Sequence, residues 1–111
     1  MKIDPVLENL YSIRTAIPTF LDIFADWDTR SDTFCEKVAN PLELSYGTSK
    51  REKIDLYLCG DKGAPLHVFI HGGYWQAMDK RNSSFLAEPY LEAGISVAMI
   101  GYDLCPTVSL R

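Results

Sequence analysis

Two short runs of nearly uniform apolar character, "LHVFI" (66–70) and "ISVAMIGY" (95–102), constrain this chain more than any other feature. Runs of that length, rich in Val, Ile and Phe, are strands, and the lack of polar alternation marks strands buried on both faces. Between them lies a segment of helical length. Asp79 stands where a helix running to about Ala93 would be capped, and Gly94 where it would stop. Pro89 falls inside that span and should kink or split it. Strand, helix, strand is a βαβ unit, so the two strands should be parallel neighbours joined by a right-handed crossover. The fold class is therefore α/β.

The remaining sequence divides into a helical part, 1–40, and the start of the sheet, 41–111. Val6, Leu10, Ile13 and Ile17 recur at helical spacing and give one apolar face. Pro18 breaks or restarts that helix; Phe20, Phe24 and Trp27 continue the spacing, with Phe34 and Val38 beyond. The polar stretch "DWDTRSD" (26–32) is expected to interrupt the helix, with Ser31 as the next N-cap, and Asn40-Pro41 to end the region. Next, Leu42 and Leu44 alternate with Glu43 and Ser45, and Ile54, Leu56 and Leu58 with Asp55 and Tyr57. With a turn over 47–51 the pair reads as a hairpin.

Composition sets the outer bounds. The chain has 111 residues, 47% of them hydrophobic, and a net charge of -4. That is one small domain with material for a core and without the basic patch nucleic acid requires. No apolar run approaches the length of a membrane span, and "MKIDPVLENL" has no signal-peptide core. Cys35, Cys59 and Cys105 are widely spaced and odd in number, which reads as reduced thiols in a cytoplasmic protein.

The chemistry concentrates in "HVFIHGGYW" (67–75), where a buried strand ends in His71, Gly72, Gly73, Tyr74 and Trp75. In open α/β sheets, sites lie beyond the carboxyl ends of the strands. A segment without Cβ atoms can turn sharply and bring backbone N–H groups close to a ligand. Convergent N–H donors suit an oxyanion, the oxygen that becomes negative when a nucleophile attacks a carbonyl. Tyr74 and Trp75 would wall the pocket against a flat or apolar substrate.

"HGGYW" after a buried strand resembles the oxyanion-hole loop of the α/β-hydrolases, the "HGGG"-type motif of esterases and lipases. The form with Tyr and Trp is similar to the arylformamidase (kynurenine formamidase) branch. "LYSIRTAIPTFLDIFADW" resembles the helical N-terminal segment of that group, with Tyr11, Arg14, Pro18 and Trp27 in its pattern. "SYGTSKREKIDLYL" resembles its first hairpin, and "QAMDKRNSSFLAEPYLEAGISVAMIGYDLCP" its next helix and strand, ending in a Tyr-x-Leu-x-Pro signature at Tyr102, Leu104 and Pro106. The resemblance implies a serine hydrolase that splits N-formyl-kynurenine or related aryl formamides, without metal or organic cofactor. A carboxylesterase of the same fold and a non-catalytic interaction module are the alternatives. Carried over position by position, Gly72, Gly73 and Tyr74 supply oxyanion-loop backbone, His71 supports the loop, and Trp75 and Tyr74 line the substrate site. The implied partners are a small formamide or ester and the rest of the same domain; a homodimer of the full-length protein is compatible with it.

One departure is decisive. The nucleophile elbow G-x-S-x-G is absent, since none of the eight serines lies between glycines at that spacing. In this fold the serine, acid and histidine all come after the position of Arg111. The chain is therefore expected to be the N-terminal part of a larger enzyme and inactive by itself. The other chemistry-bearing residues read as structural. His67 and His71 sit four strand residues apart, roughly 13 Å, too far to share one ion. Cys105 has no basic partner in view and precedes Pro106. Asp26, Asp28 and Asp32 read as a solvated face, and Ser83-Ser84 as the polar start of a helix.

Overall fold

The computed structural model describes residues 2–110. Its elements, in chain order, are α1 (Pro5–Tyr11), α2 (Ile13–Ala16), α3 (Phe20–Lys37), β1 (Leu42–Ser45), β2 (Lys53–Tyr57), β3 (Leu66–Ile70), a 3₁₀ segment (Lys80–Ala87), α4 (Glu88–Glu92) and β4 (Ser96–Ile100). The four strands form one mixed sheet in the order β1-β2-β4-β3. β1 and β2 are the expected antiparallel hairpin, and β3 and β4 are the expected parallel pair, with Leu66 opposite Ser96 and Ile70 opposite Ile100. β2 also pairs antiparallel with β4, which leaves β3 as an edge strand.

The core lies on one face of this sheet. Phe34 of α3, Tyr57 of β2, Ala87, and Val97 and Met99 of β4 are buried against one another. The Phe34 and Tyr57 rings meet at 5.2 Å between centroids. Phe69 of β3 packs against the rim of the cluster. Burial pushes the Tyr57 phenol up to about 12.

The crossover from β3 to β4 keeps closely to the sequence pattern. Asp79 caps it, its carboxylate accepting from Arg81 N–H while Asn82 Oδ1 accepts from Asp79 N–H. Pro89 does split the segment, closing a 3₁₀ stretch and opening α4 in its first turn. Gly94 takes φ 76°, and Gly94 and Ile95 N–H groups bond back to Leu91 and Tyr90 carbonyls. Ser83 and Ser84, expected as the polar start of a helix, lie inside the 3₁₀ segment and are buried, with Ser84 at 1% exposure.

Four expectations are corrected. First, the Val6, Leu10, Ile13, Ile17 face is not one helix face. Ser12 is extended, ends α1 and caps α2, and all four side chains are exposed. Second, "DWDTRSD" does not interrupt α3. Thr29 and Thr33 hydroxyls bond to carbonyls one turn back, both at 2.9 Å, and Arg30 pairs with Asp26 at 3.8 Å. With no Gly or Pro present, a polar run satisfied within the helix has no reason to leave it. Ser31 is consequently a buried mid-helix residue whose hydroxyl accepts from Phe85 N–H at 3.4 Å, and not an N-cap.

Third, β2 presents its opposite face to the core. Asp55 and Tyr57 are buried, and Leu58 lies outside the strand, exposed. The inward carboxylate is tolerated because Lys80 Nζ meets it at 2.7 Å, with the two side chains only 10% and 8% exposed. Fourth, β3 is covered on one face only. His67 and Phe69 point to the helical layer, whereas Leu66, Val68 and Ile70 are exposed. Strand register places them beside Ala98 and Ile100 of β4, Ile54 and Leu56 of β2, and Leu42 and Leu44 of β1. Apart from Ser96, opposite Leu66, this face of the sheet is thus apolar, and Leu42, Leu44, Leu66, Val68 and Ile70 on it are exposed.

Candidate active site

β3 ends at Ile70, and the chain turns over 71–78 beside the 101–105 loop after β4. His71 is buried, 2% exposed, and its ring stacks on Tyr102 at 4.2 Å. His71 Nδ1 lies 2.7 Å from the Gly72 carbonyl oxygen. A carbonyl only accepts, so Nδ1 carries the proton and donates. Nε2 of the same ring is buried with no partner among the described residues. Tyr102 Oη donates to the His71 carbonyl at 2.7 Å and approaches the Gly72 carbonyl at 3.4 Å. Burial raises the Tyr102 phenol above its ordinary range, with Arg51 opposing, so it remains a donor at neutral pH.

The glycines have different reasons to be glycine. Gly73 takes φ 119°, its carbonyl accepts from Gln76 and Ala77 N–H at 3.0 and 3.1 Å, and a Cβ there would stand 2.1 Å from the Ala77 oxygen. Gly72 has ordinary φ and open space where its Cβ would be. Tyr74, Trp75 and Met78 all take left-handed backbone, at φ 57°, 56° and 74°. Such conformations cost about 1–3 kcal/mol each and persist only where the surroundings impose them. Here Cys105 N–H binds the Trp75 carbonyl at 2.7 Å, and Arg51 Nη2 binds the Met78 carbonyl at 2.6 Å. Arg51 also pairs with Asp79 at 3.2 Å and donates through Nε to the Tyr102 carbonyl at 2.9 Å. One guanidinium therefore ties the hairpin turn to both loops.

The N–H groups of Gly72, Gly73 and Tyr74 donate in no hydrogen bond among the described residues. Around them the surface is open: Tyr74 is 80% exposed and Trp75 49%. A hollow of about 230 Å³ that shares Ala77 and Met78 with the turn is lined also by Phe24, Trp27, Asp28 and Asn82, and not by Tyr74 or Trp75. The sequence thus places His71, Gly72, Gly73, Tyr74 and Trp75 in one turn, and the fold adds Tyr102. Tyr102 had a signal in the Tyr-x-Leu-x-Pro signature. Arg51 had none, because its three partners lie far away in the chain. His67, the other histidine, stacks on Tyr90 at 4.2 Å in the helical layer, away from this turn. No helix among the described residues is long and apolar enough to cross a membrane.

The fold is α/β, with a mixed sheet and a glycine turn at the carboxyl end of a parallel strand. Part of the chain is similar to proteins named kynurenine formamidase. Those of Salmo salar and Danio rerio are each 39% identical over 67 residues, 59% of this chain, and that of Drosophila melanogaster is 42% identical over 70 residues, 61% of it. Each alignment takes in 23% of the relative, so the chain spans about a quarter of the length of the curated relatives it matches. A crystal structure from Silicibacter sp. TM1040, provisionally assigned as a thioesterase, is 40% identical with a TM-score of 0.75. That match covers 88% of this chain and 38% of the other. No protein-family model matches the chain.

Proposed function

We propose that these residues are the oxyanion-binding portion of a serine hydrolase of the α/β-hydrolase fold, acting on aryl formamides such as N-formyl-kynurenine. The observation that carries this reading is the row of unpaired N–H groups at Gly72, Gly73 and Tyr74, held by a strained turn at the end of β3. The similarity to kynurenine formamidases supports the formamide as substrate class.

In this reading a serine outside the 111 residues adds to the formyl carbon. The carbonyl oxygen becomes an alkoxide, and N–H groups of this turn meet it together with that of the residue after the nucleophile. The donors are fixed before the charge appears, so no reorganisation opposes the reaction. Collapse of the tetrahedral intermediate releases the arylamine and leaves a formyl-enzyme, which water then hydrolyses to formate. Trp75 and Tyr74, exposed within the turn, would flank a flat aromatic leaving group. The chemistry calls on no metal or organic cofactor.

The solved relative with a thioesterase assignment favours one competing substrate class, thioesters. Turnover of N-formyl-kynurenine, a p-nitrophenyl ester and an acyl thioester by the full-length protein carrying these residues separates the classes. The formamide should have the highest kcat/KM. A protein that prefers the thioester or the ester refutes the formamidase reading, and one that cleaves none of the three refutes the hydrolase.

A further inference from the structure

We propose that Tyr102 is a positioning residue for this turn: its hydroxyl, together with His71 Nδ1, turns the Gly72 and Gly73 N–H groups toward the reacting carbonyl. The inference rests on the hydrolase reading and adds a residue to it.

The geometry is one of peptide planes. In a planar trans peptide the C=O and the following N–H point in opposite directions. The His71 carbonyl shares its plane with Gly72 N–H, and the Gly72 carbonyl shares its plane with Gly73 N–H. Tyr102 Oη holds the first carbonyl at 2.7 Å and reaches the second at 3.4 Å, while His71 Nδ1 holds the second at 2.7 Å. Both carbonyls are drawn toward the Tyr102 side, so both N–H groups face away from it, where no described residue accepts from them. Glycine supplies no side chain to resist rotation of either plane, so the grip must come from outside the turn. Tyr102 is itself anchored, its ring stacked on His71 and its carbonyl accepting from Arg51.

The test is Tyr102→Phe in the full-length hydrolase, which keeps the ring and removes only the hydroxyl. We expect kcat for N-formyl-kynurenine to fall on the order of 10- to 100-fold, the scale of a small misplacement of catalytic groups, with KM nearly unchanged. Affinity for a trifluoromethyl ketone analogue, which forms an oxyanion, should fall by the same factor, whereas affinity for the product amine should not. Incorporating 3-fluorotyrosine at position 102 keeps the donor and should restore kcat. Unchanged kcat in a folded Tyr102→Phe protein overturns the proposal, as does a parallel loss of analogue and product binding, which marks a merely structural role. If the unmodified protein hydrolyses nothing, the hydrolase reading fails separately. The positioning is then decided by the Gly72 and Gly73 amide resonances, which must shift in Tyr102→Phe and overturn it if they stay in place.

Discussion

Gly72 and Gly73 are adjacent and chemically identical, yet their surroundings give them different tolerances. Gly72→Ala places a methyl in open space at ordinary φ, so stability should change by no more than about 0.5 kcal/mol. Gly73→Ala combines φ 119° with a methyl 2.1 Å from a backbone oxygen, so the turn must move. We expect it to cost several kcal/mol of stability and, in the full-length enzyme, on the order of 100-fold in kcat, the scale of one lost oxyanion donor. Denaturant titration and steady-state kinetics check both, and equal tolerance at the two positions would contradict the assignment of the turn. Tyr74 offers the complementary case. It is 80% exposed and held at φ 57°, so its side chain contributes little packing while its backbone is strained. Tyr74→Asn, with a residue that accepts left-handed backbone, should match the parent or gain up to about 1 kcal/mol in the same titration. A loss greater than that would assign the phenol ring a packing role.

Among the elements, those whose determinants are local were legible. β3, β4, the Asp79 cap, the Pro89 split and the Gly94 stop are each written in a few consecutive residues and stand where expected. The inward face of β2 was not, because Asp55 is buried only by virtue of Lys80, a partner on another element. Nor was the continuity of α3, where polar residues find partners one turn back instead of breaking the helix. The HGGYW segment was legible as a turn at the end of β3, but its strain and its Tyr102 and Arg51 anchors depend on long-range contacts that no local pattern encodes. The Asp55–Lys80 pair carries a prediction of its own. Asp55→Ala leaves a buried ammonium without its closest carboxylate and should cost about 3–5 kcal/mol, whereas Asp55→Leu combined with Lys80→Met should recover most of it. Thermal unfolding of both variants decides, and a double variant no more stable than Asp55→Ala would contradict the pairing. Tyr57 predicts a pH dependence. Its folded pKa of about 12 lies above the unfolded value of about 10, so the folded state holds the proton more tightly. The stabilisation is full below pH 10 and is lost as pH rises from 10 toward 12, by at most about 3 kcal/mol. Between pH 9 and 11 the parent should lose more stability than Tyr57→Phe, and parallel losses would show that the phenol does not titrate in the core.

In the molecule as a whole, the sheet has one covered face and one largely apolar face whose Leu42, Leu44, Leu66, Val68 and Ile70 are exposed. Exposed apolar area is worth roughly 25 cal/mol per Å², so several hundred Å² amounts to on the order of 10 kcal/mol, comparable to the stability of a domain. β3 adds an unpaired edge of apolar residues, a template for pairing with another chain. The 111-residue chain alone should therefore self-associate, and sedimentation showing a clean monomer would contradict that. We propose that this chain supplies the oxyanion turn of a hydrolase and not its nucleophile. Complementation tests it most directly: N-formyl-kynurenine hydrolysis by the 111-residue chain alone, by the chain co-expressed with the remainder of a full-length relative, and by the same complex carrying Gly73→Ala. We expect no turnover from the chain alone, turnover from the complex, and its loss on the order of 100-fold with Gly73→Ala. Hydrolysis by the chain alone, or a complex whose turnover ignores Gly73→Ala, would contradict it.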